Sequence, residues 1–234
     1  MTDRTFVAPI RVDDPVALAV TERAQGDLAH GLRGLLDACV RTRVDAATMV
    51  EVAEQVEAMT RRLLESAQDE ALGLVPSSDG QMRDHGNPMV GMRNPIAPPL
   101  TVTGDGLGTM SADFTLCAAY EGPPGCVHGG MVAAVLDQVV GCAPADIGLP
   151  GLTAFLNTTY RRPTLLGQPH RCHAWVDTVE GWKVFARGEI RDAEDRVTAE
   201  AEALFIVPRW ARAHVGAAQA DARTEVAATS PRTP

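Results

Sequence analysis

The sequence predicts an α+β protein in which a curved antiparallel β-sheet wraps one long central helix, with a helical extension ahead of it. Three observations carry that expectation. Apolar residues recur with a helical period over the first 75 or so residues, and with a period of two from Leu100 onward. From Leu100 the candidate elements run strand, strand, helix and then four strands. The helix in that series is apolar almost all round (Met131, Val132, Ala133, Ala134, Val135, Leu136, Val139, Val140). Such a helix persists only when something surrounds it, and a long curved sheet supplies the cover.

The elements follow in chain order. Asp13 and Asp14 precede Pro15, a start signal with proline in the first turn, and an Ala/Leu-rich helix runs from there to about Val40, weakened by Gly26, Gly31 and Gly34. Asp45 is the expected N-cap of a second helix, in which Met49, Val52, Val56, Met59 and Leu63 form one apolar stripe at spacings of 3, 4, 3 and 4. Pro76-Ser-Ser-Asp-Gly80 ends this helical extension, assigned to residues 1–75. Residues 76–99, rich in Gly, Pro, Asn and Met, read as a linker. Strands are expected at Leu100–Thr103 and Gly108–Cys117, joined by a Gly104–Gly108 hairpin turn, with the apolar helix from about Gly130 to Cys142. Four further strands are expected at 152–161, 169–179, 182–191 and 196–207. In the last, Val197, Ala199, Ala201, Ala203, Phe205 and Val207 share one face, with Thr198, Glu200 and Glu202 on the other. The Ala/Thr/Pro-rich tail, 208–234, lacks periodicity and reads as disordered.

Charge narrows the function classes. The chain carries 21 Lys+Arg against 30 Asp+Glu, a net −9. With no cationic excess to neutralise phosphates, nucleic acid is excluded as a partner. No apolar run reaches the ~18–20 residues needed to span a bilayer. The opening Met1–Ile10 has no apolar core followed by a cleavage site, so a cytoplasmic location is expected. The five cysteines are scattered and form no Cys-x-x-Cys pair. His170-Arg-Cys-His173 has metal-binding residue types but matches no common zinc spacing, so no metal is expected.

Gly122-Pro-Pro-Gly-Cys-Val-His-Gly-Gly130 leads into the apolar helix, Asp137 lies nine residues after His128, and Thr153 sixteen after that, opening a segment that ends in Tyr160-Arg-Arg-Pro163. Together these resemble the hotdog-fold acyl-CoA thioesterases, the 4-hydroxybenzoyl-CoA thioesterase superfamily. Within it the chain is similar to the phenylacetate-degradation (PaaI-like) group, in members with Gly-Pro-Pro-Gly ahead of His-Gly-Gly. The resemblance covers residues 100–207 and implies a hotdog domain there. The activity it implies is hydrolysis of an acyl-CoA to free acid and coenzyme A, with no cofactor, since coenzyme A belongs to the substrate. A non-hydrolytic acyl-CoA-binding or regulatory protein on the same fold is the alternative.

The residues make chemical sense in those roles. A glycine pair at a helix start leaves amide donors unobstructed at the positive end of the dipole, where they can stabilise the oxyanion of an attacked thioester. Gly129 is the first choice for that donor and Gly130 the second. Asp137, a carboxylate among apolar neighbours, is assigned as general base for the attacking water or as nucleophile. The motif implies a loop-orienting role for His128, and for Thr153 a hydroxyl that positions the water or the carboxylate. Arg161 and Arg162 are candidates for the phosphates of coenzyme A, and Asn157 joins them in the substrate-binding set. One departure stands out: many PaaI-like enzymes carry an Asn six residues before the motif His, where this chain has Gly122.

Gly129 and Asp137 are eight residues apart, roughly 12 Å along a helix, whereas both must reach one thioester carbon. The expected active species is therefore a homodimer or a dimer of dimers with sites shared between subunits, and the resemblance implies the same arrangement.

Overall fold

The computed structural model describes residues 14–70, 72–76, 82–98 and 100–212. The chain divides into two compact units that meet between Ala97 and Pro98. Asp13, residues 77–80 of the Pro76–Gly80 turn signal and the tail beyond 212 lie outside the described residues.

The first unit opens with α1 (Pro15–Arg41) and α2 (Ala46–Leu64). Both begin as local chemistry dictates. The Asp14 carboxylate accepts from the Val16 amide at 2.9 Å and the Asp45 carboxylate from the Thr48 amide at 2.9 Å, each satisfying an orphan donor of the first turn. The three glycines do not break α1; a Cβ at any of them would meet nothing within 4 Å. The remainder differs from the expected linker. Leu74–Pro76 (β1) and Met82–Asp84 (β2) pair as a small antiparallel hairpin. Residues 84–97 then fold into linked turns: Asn87 Oδ1 accepts from the Met89 amide at 2.7 Å, and the Asn94 amide nitrogen donates to Gly86 O at 3.0 Å. Arg33 Nε ties this segment to α1 through Ala97 O at 2.9 Å. Three-residue strands carry too little period to show in a sequence, and the Asn turns satisfy their own backbone.

In the second unit a six-stranded antiparallel sheet packs against one helix, which is the expected hotdog fold. The strands are β3 (Thr101–Gly104), β4 (Thr109–Phe114), β5 (Leu152–Tyr160), β6 (His170–Glu180), β7 (Lys183–Arg191) and β8 (Val197–Ile206), in spatial order β3-β4-β6-β7-β8-β5. The helix, α3, spans Gly129–Asp146. It passes the expected end near Cys142, carrying Pro144 in its last turn, and Asp146 Oδ2 accepts from the Gly108 amide at 3.0 Å, fastening the β3–β4 turn. Val132, Val135, Leu136, Val139, Val140 and Ala143 bury one side of α3. They face Cys172, Ala174 and Val176 of β6, Val184, Ala186 and Ile190 of β7, and the alternating Ala199–Phe205 row of β8. Each fully buried Val, Leu or Phe contributes about 1.5–3 kcal/mol. Gly188 marks a close approach, because a Cβ there would lie 2.5 Å from Val140 Cγ2. The opposite side of α3, including Asp137 and Gln138, is only half-buried.

Two irregularities change which side chains share a face. A register shift between Ile190 and Arg191 turns Thr198, expected on the polar face, fully inward. Its hydroxyl accepts from Thr164 Oγ1 at 3.1 Å and donates to Ile190 O at 3.3 Å. A second shift lies between Thr153 and Phe155 of β5. The start of the tail is ordered as a helical turn, Arg209–Arg212 (α4), with the Arg212 guanidinium 5.0 Å from the Trp182 ring centroid. No helix among the described residues is long and apolar enough to cross a membrane.

Candidate active site

The loop into α3 is a tight hairpin. Cys126 N donates to Pro123 O at 2.8 Å, with Pro124 and then Gly125 (φ +74°) between them, the type II order of proline followed by a left-handed glycine. The Gly122 and His128 amides bond Cys126 O (2.9 Å) and Tyr120 O (2.9 Å). Here the departure at Gly122 acquires a physical reason. A Cβ at 122 would sit 2.6 Å from His128 Cα, so no asparagine can occupy that position on this backbone.

At the helix start the His128 side chain caps its own helix, Nδ1 accepting from the Gly130 amide at 3.0 Å. That bond places the ring proton on Nε2. The carbonyl of the same peptide group, Gly129 O, accepts from Tyr160 OH at 2.8 Å. The Gly129–Gly130 peptide is thus clamped on both edges. The Gly130 donor is consumed, whereas the Gly129 amide has no acceptor among the described residues.

Two turns along α3, Thr153 Oγ1 donates to Asp137 Oδ1 at 3.1 Å. Asp137 Oδ2 has no partner among the described residues, and the side chain is half-buried beside the buried Leu136, Val139 and Val140. Thr153 and Tyr160 lie on the α3-facing side of β5, one touching the Asp137 carboxylate and the other the Gly129 carbonyl.

Strand β5 continues into Arg161-Arg162-Pro163-Thr164, which crosses back to the motif loop: Val127 N donates to Thr164 O at 2.8 Å and Leu166 N to Gly125 O at 3.1 Å. A cleft of about 430 Å³ forms there, lined by Cys126, Gly129, Val132, Tyr160, Arg161 and Arg162 among others. Arg161 is engaged by Glu200 through Nε at 3.0 Å and through Nη2. Arg162 turns Nη1 to Val197 O at 2.8 Å, leaving the other two guanidinium nitrogens without partners among the described residues.

The structure therefore brings Gly129, Gly130, His128, Arg161 and Arg162 together, and separately joins Asp137 to Thr153. Asn157 joins neither group. The β5 register shift puts it on the opposite face of the sheet, paired across from Glu202 in a depression with Trp175 and Arg187. Tyr160, whose hydroxyl holds Gly129 O, is the candidate site residue that residue-type reasoning missed; its position in the Tyr-Arg-Arg-Pro motif was the available signal.

Burial pushes the thiols of Cys142 and Cys172 above the ordinary range, so neither offers a thiolate nucleophile. In 170–173, Cys172 faces the core while His173 points to the other side, and no metal-holding cluster occurs among the described residues.

Comparison with known proteins bears on the family and fold of the second unit. The Thioesterase superfamily sequence profile matches residues 124–199. The acyl-coenzyme A thioesterase THEM4 of Xenopus laevis is 38% identical over 87 residues, 37% of this chain and 39% of that protein. Its Mus musculus counterpart is 34% identical over 87 residues, 37% of each chain. The aligned region is thus about two fifths of these relatives' length. A solved structure described as a thioesterase superfamily protein superposes with a TM-score of 0.71 at 35% identity, covering 78% of this chain and 94% of that one. The chain belongs to the thioesterase superfamily. The superfamily match begins within the Gly-Pro-Pro-Gly turn and includes Gly129, Asp137, Thr153 and Tyr160, whereas α1 and α2 lie outside it.

Proposed function

We propose that this thioesterase superfamily member hydrolyses an acyl-CoA to the free acid and coenzyme A. The observation that carries the reading is the division of labour along α3: a free amide at Gly129, adjoining the Gly129–Gly130 peptide that Tyr160 OH anchors by its carbonyl, and a free carboxylate oxygen at Asp137, whose other oxygen Thr153 holds. The Gly129 amide, at the positive end of α3, stabilises the oxyanion on the thioester carbonyl. Asp137 Oδ2 takes a proton from the attacking water, or attacks directly to give a mixed anhydride that water then opens. In either route the C–S bond breaks and the thiolate leaves with a proton. Arg162, and Arg161 beside Glu200, supply the positive end for the phosphates of coenzyme A. No metal or redox group is required.

The two halves lie about 12 Å apart on one helix, so a second subunit completes each site. Strand β5 is a sheet edge whose side chains are all exposed or half-exposed, Leu152, Phe155 and Tyr160 included. Unpaired edges of this kind recruit another strand. Antiparallel pairing of two β5 edges about a two-fold axis brings the Thr153–Asp137 end of one subunit to the Tyr160–Gly129 end of the other.

The direct test follows free thiol release from an acyl-CoA panel spanning short, long and aromatic acyl groups. Turnover of at least one member is expected; tight binding of acyl-CoA with no thiol release from any would establish the regulatory alternative instead. Tyr160 is a positioning residue for the oxyanion amide. Tyr160→Phe keeps the ring against Gly129 and deletes one hydrogen bond, so kcat should fall about 3- to 10-fold at nearly constant KM. A change confined to KM would show that the hydroxyl serves binding alone.

A further inference from the structure

Arg161 and Arg162 are the charged residues lining the cleft beside Gly129, and their guanidinium groups are in opposite states. Both backbone amides donate to Thr198 O, at 2.7 and 3.0 Å, and the two side chains then part, one to Glu200 and the other to Val197 O. A guanidinium grips a phosphate through a fork of two parallel N–H donors, of which Nε with Nη2 is the side-on pair. In Arg162 that edge is open among the described residues, because Nη1 is the atom that binds Val197 O. In Arg161 the same edge is spent: Nε, at 3.0 Å, and Nη2 both donate to Glu200 Oε1.

Arg161 also stands between two sides of the sheet. It lines the cleft and, equally, the depression of about 360 Å³ on the opposite face, where Glu200 lies across from Thr159 of β5 and Glu189 of β7. Glu189 is engaged by Arg191 Nε at 2.7 Å and Glu202 by Arg187 Nη2 at 3.2 Å, so Glu200 is the carboxylate that draws Arg161 to that face. The pair is too open to serve stability: its side chains are 53% and 40% exposed, and exposed ion pairs contribute little. Its consequence lies in charge, because the cleft is left with one unneutralised guanidinium rather than two. On the acyl-CoA reading, we propose that Glu200 is a positioning residue that restrains phosphate binding, limiting Arg161 to a minor share and leaving the Arg162 fork as the principal grip on coenzyme A. Coenzyme A is the product as well as part of the substrate. Hold on its phosphates is expressed equally before and after hydrolysis, so a tighter grip slows departure without favouring the transition state.

The test measures binding of free coenzyme A to the full chain by calorimetry at fixed ionic strength, which needs no turnover. Glu200→Ala should bind coenzyme A about 5-fold more tightly than wild type, and Glu200→Gln, which keeps the shape and removes the charge, should move in the same direction. Arg162→Ala should bind about 10-fold more weakly, and Arg161→Ala within about 2-fold of wild type. The gain should vanish in Glu200→Ala/Arg161→Ala, because it depends on the released guanidinium; a purely structural effect of the Glu200 substitution would survive loss of Arg161. Binding no tighter in either Glu200 variant overturns the proposal, as does a gain that persists without Arg161 or an Arg162→Ala affinity equal to that of wild type. If wild type takes up no coenzyme A, the acyl-CoA reading falls and the role of Glu200 with it, whereas uptake by wild type with no gain in the Glu200 variants removes the role of Glu200 alone.

Discussion

Replacing Asp137 with asparagine should lower kcat for acyl-CoA hydrolysis by about 10²–10⁴, the range that loss of a general base produces, or about 2.7–5.5 kcal/mol of barrier. The substitution is nearly isosteric, and the amide oxygen can still accept from Thr153 Oγ1, so the bond now seen at 3.1 Å survives. What disappears is the negative oxygen that has no partner among the described residues. Both routes open to Asp137, proton abstraction and direct attack, need that oxygen, so the expected loss does not depend on choosing between them. Because the side chain is half-buried rather than in the core, thermal stability should stay close to wild type. The measurement is steady-state thiol release alongside a melting curve. A variant that folds normally and retains kcat within tenfold would remove Asp137 from the mechanism.

The parts of this protein legible in its sequence are those governed by local rules. The N-caps at Asp14 and Asp45 are single-residue hydrogen-bond chemistry, and the alternating Ala199–Phe205 row states its own buried face. The amide end of the candidate site was readable only through its motif: a glycine pair at a helix start serves a tight turn equally well, and it was the added spacing to Asp137, Thr153 and Tyr160-Arg-Arg-Pro163 that pointed to an oxyanion donor. Legibility failed where a one-residue slip decides the outcome. Along an unbroken β5, Thr153 and Asn157 share a face; the shift between Thr153 and Phe155 instead gives that face to Leu156, Thr158 and Tyr160 and sends Asn157 across. The same slip is what sets Tyr160 OH against Gly129 O. Thr198 is a second case, the extra residue of a shift in β8 opposite Ile190 and Arg191 of β7, its hydroxyl turned inward and matched to Thr164. No pattern in the sequence announces either shift, since each is fixed by strand pairing rather than by the residues at the bulge.

Gly129→Pro should cost a further factor of about 10²–10³ in kcat, the loss typical of one oxyanion donor. Gly129 is the first residue of α3, where proline is tolerated because its missing N–H has no intrahelical partner. His128 before it already has extended backbone (φ −59°, ψ 132°), as a residue preceding proline must. The substitution therefore leaves the helix start intact, deletes the amide hydrogen and sets the ring Cδ where the oxyanion would accept, so donor loss and exclusion of the carbonyl oxygen act together. Gly129→Ala is the matched control: its Cβ meets the Tyr160 ring at 3.4–3.6 Å, ordinary contact, and the donor remains, so its loss should be far smaller. The pair separates a backbone donor from a mere requirement for glycine. Mixing then tests where the two halves of the site reside. In a two-fold dimer with shared sites, equal amounts of Gly129→Pro and Asp137→Asn chains form half heterodimers, each with one intact site. After verified subunit exchange, activity should recover to about a quarter of wild type. If one chain supplied both groups, every site in the mixture would stay broken, and activity would remain at the level of the separate variants.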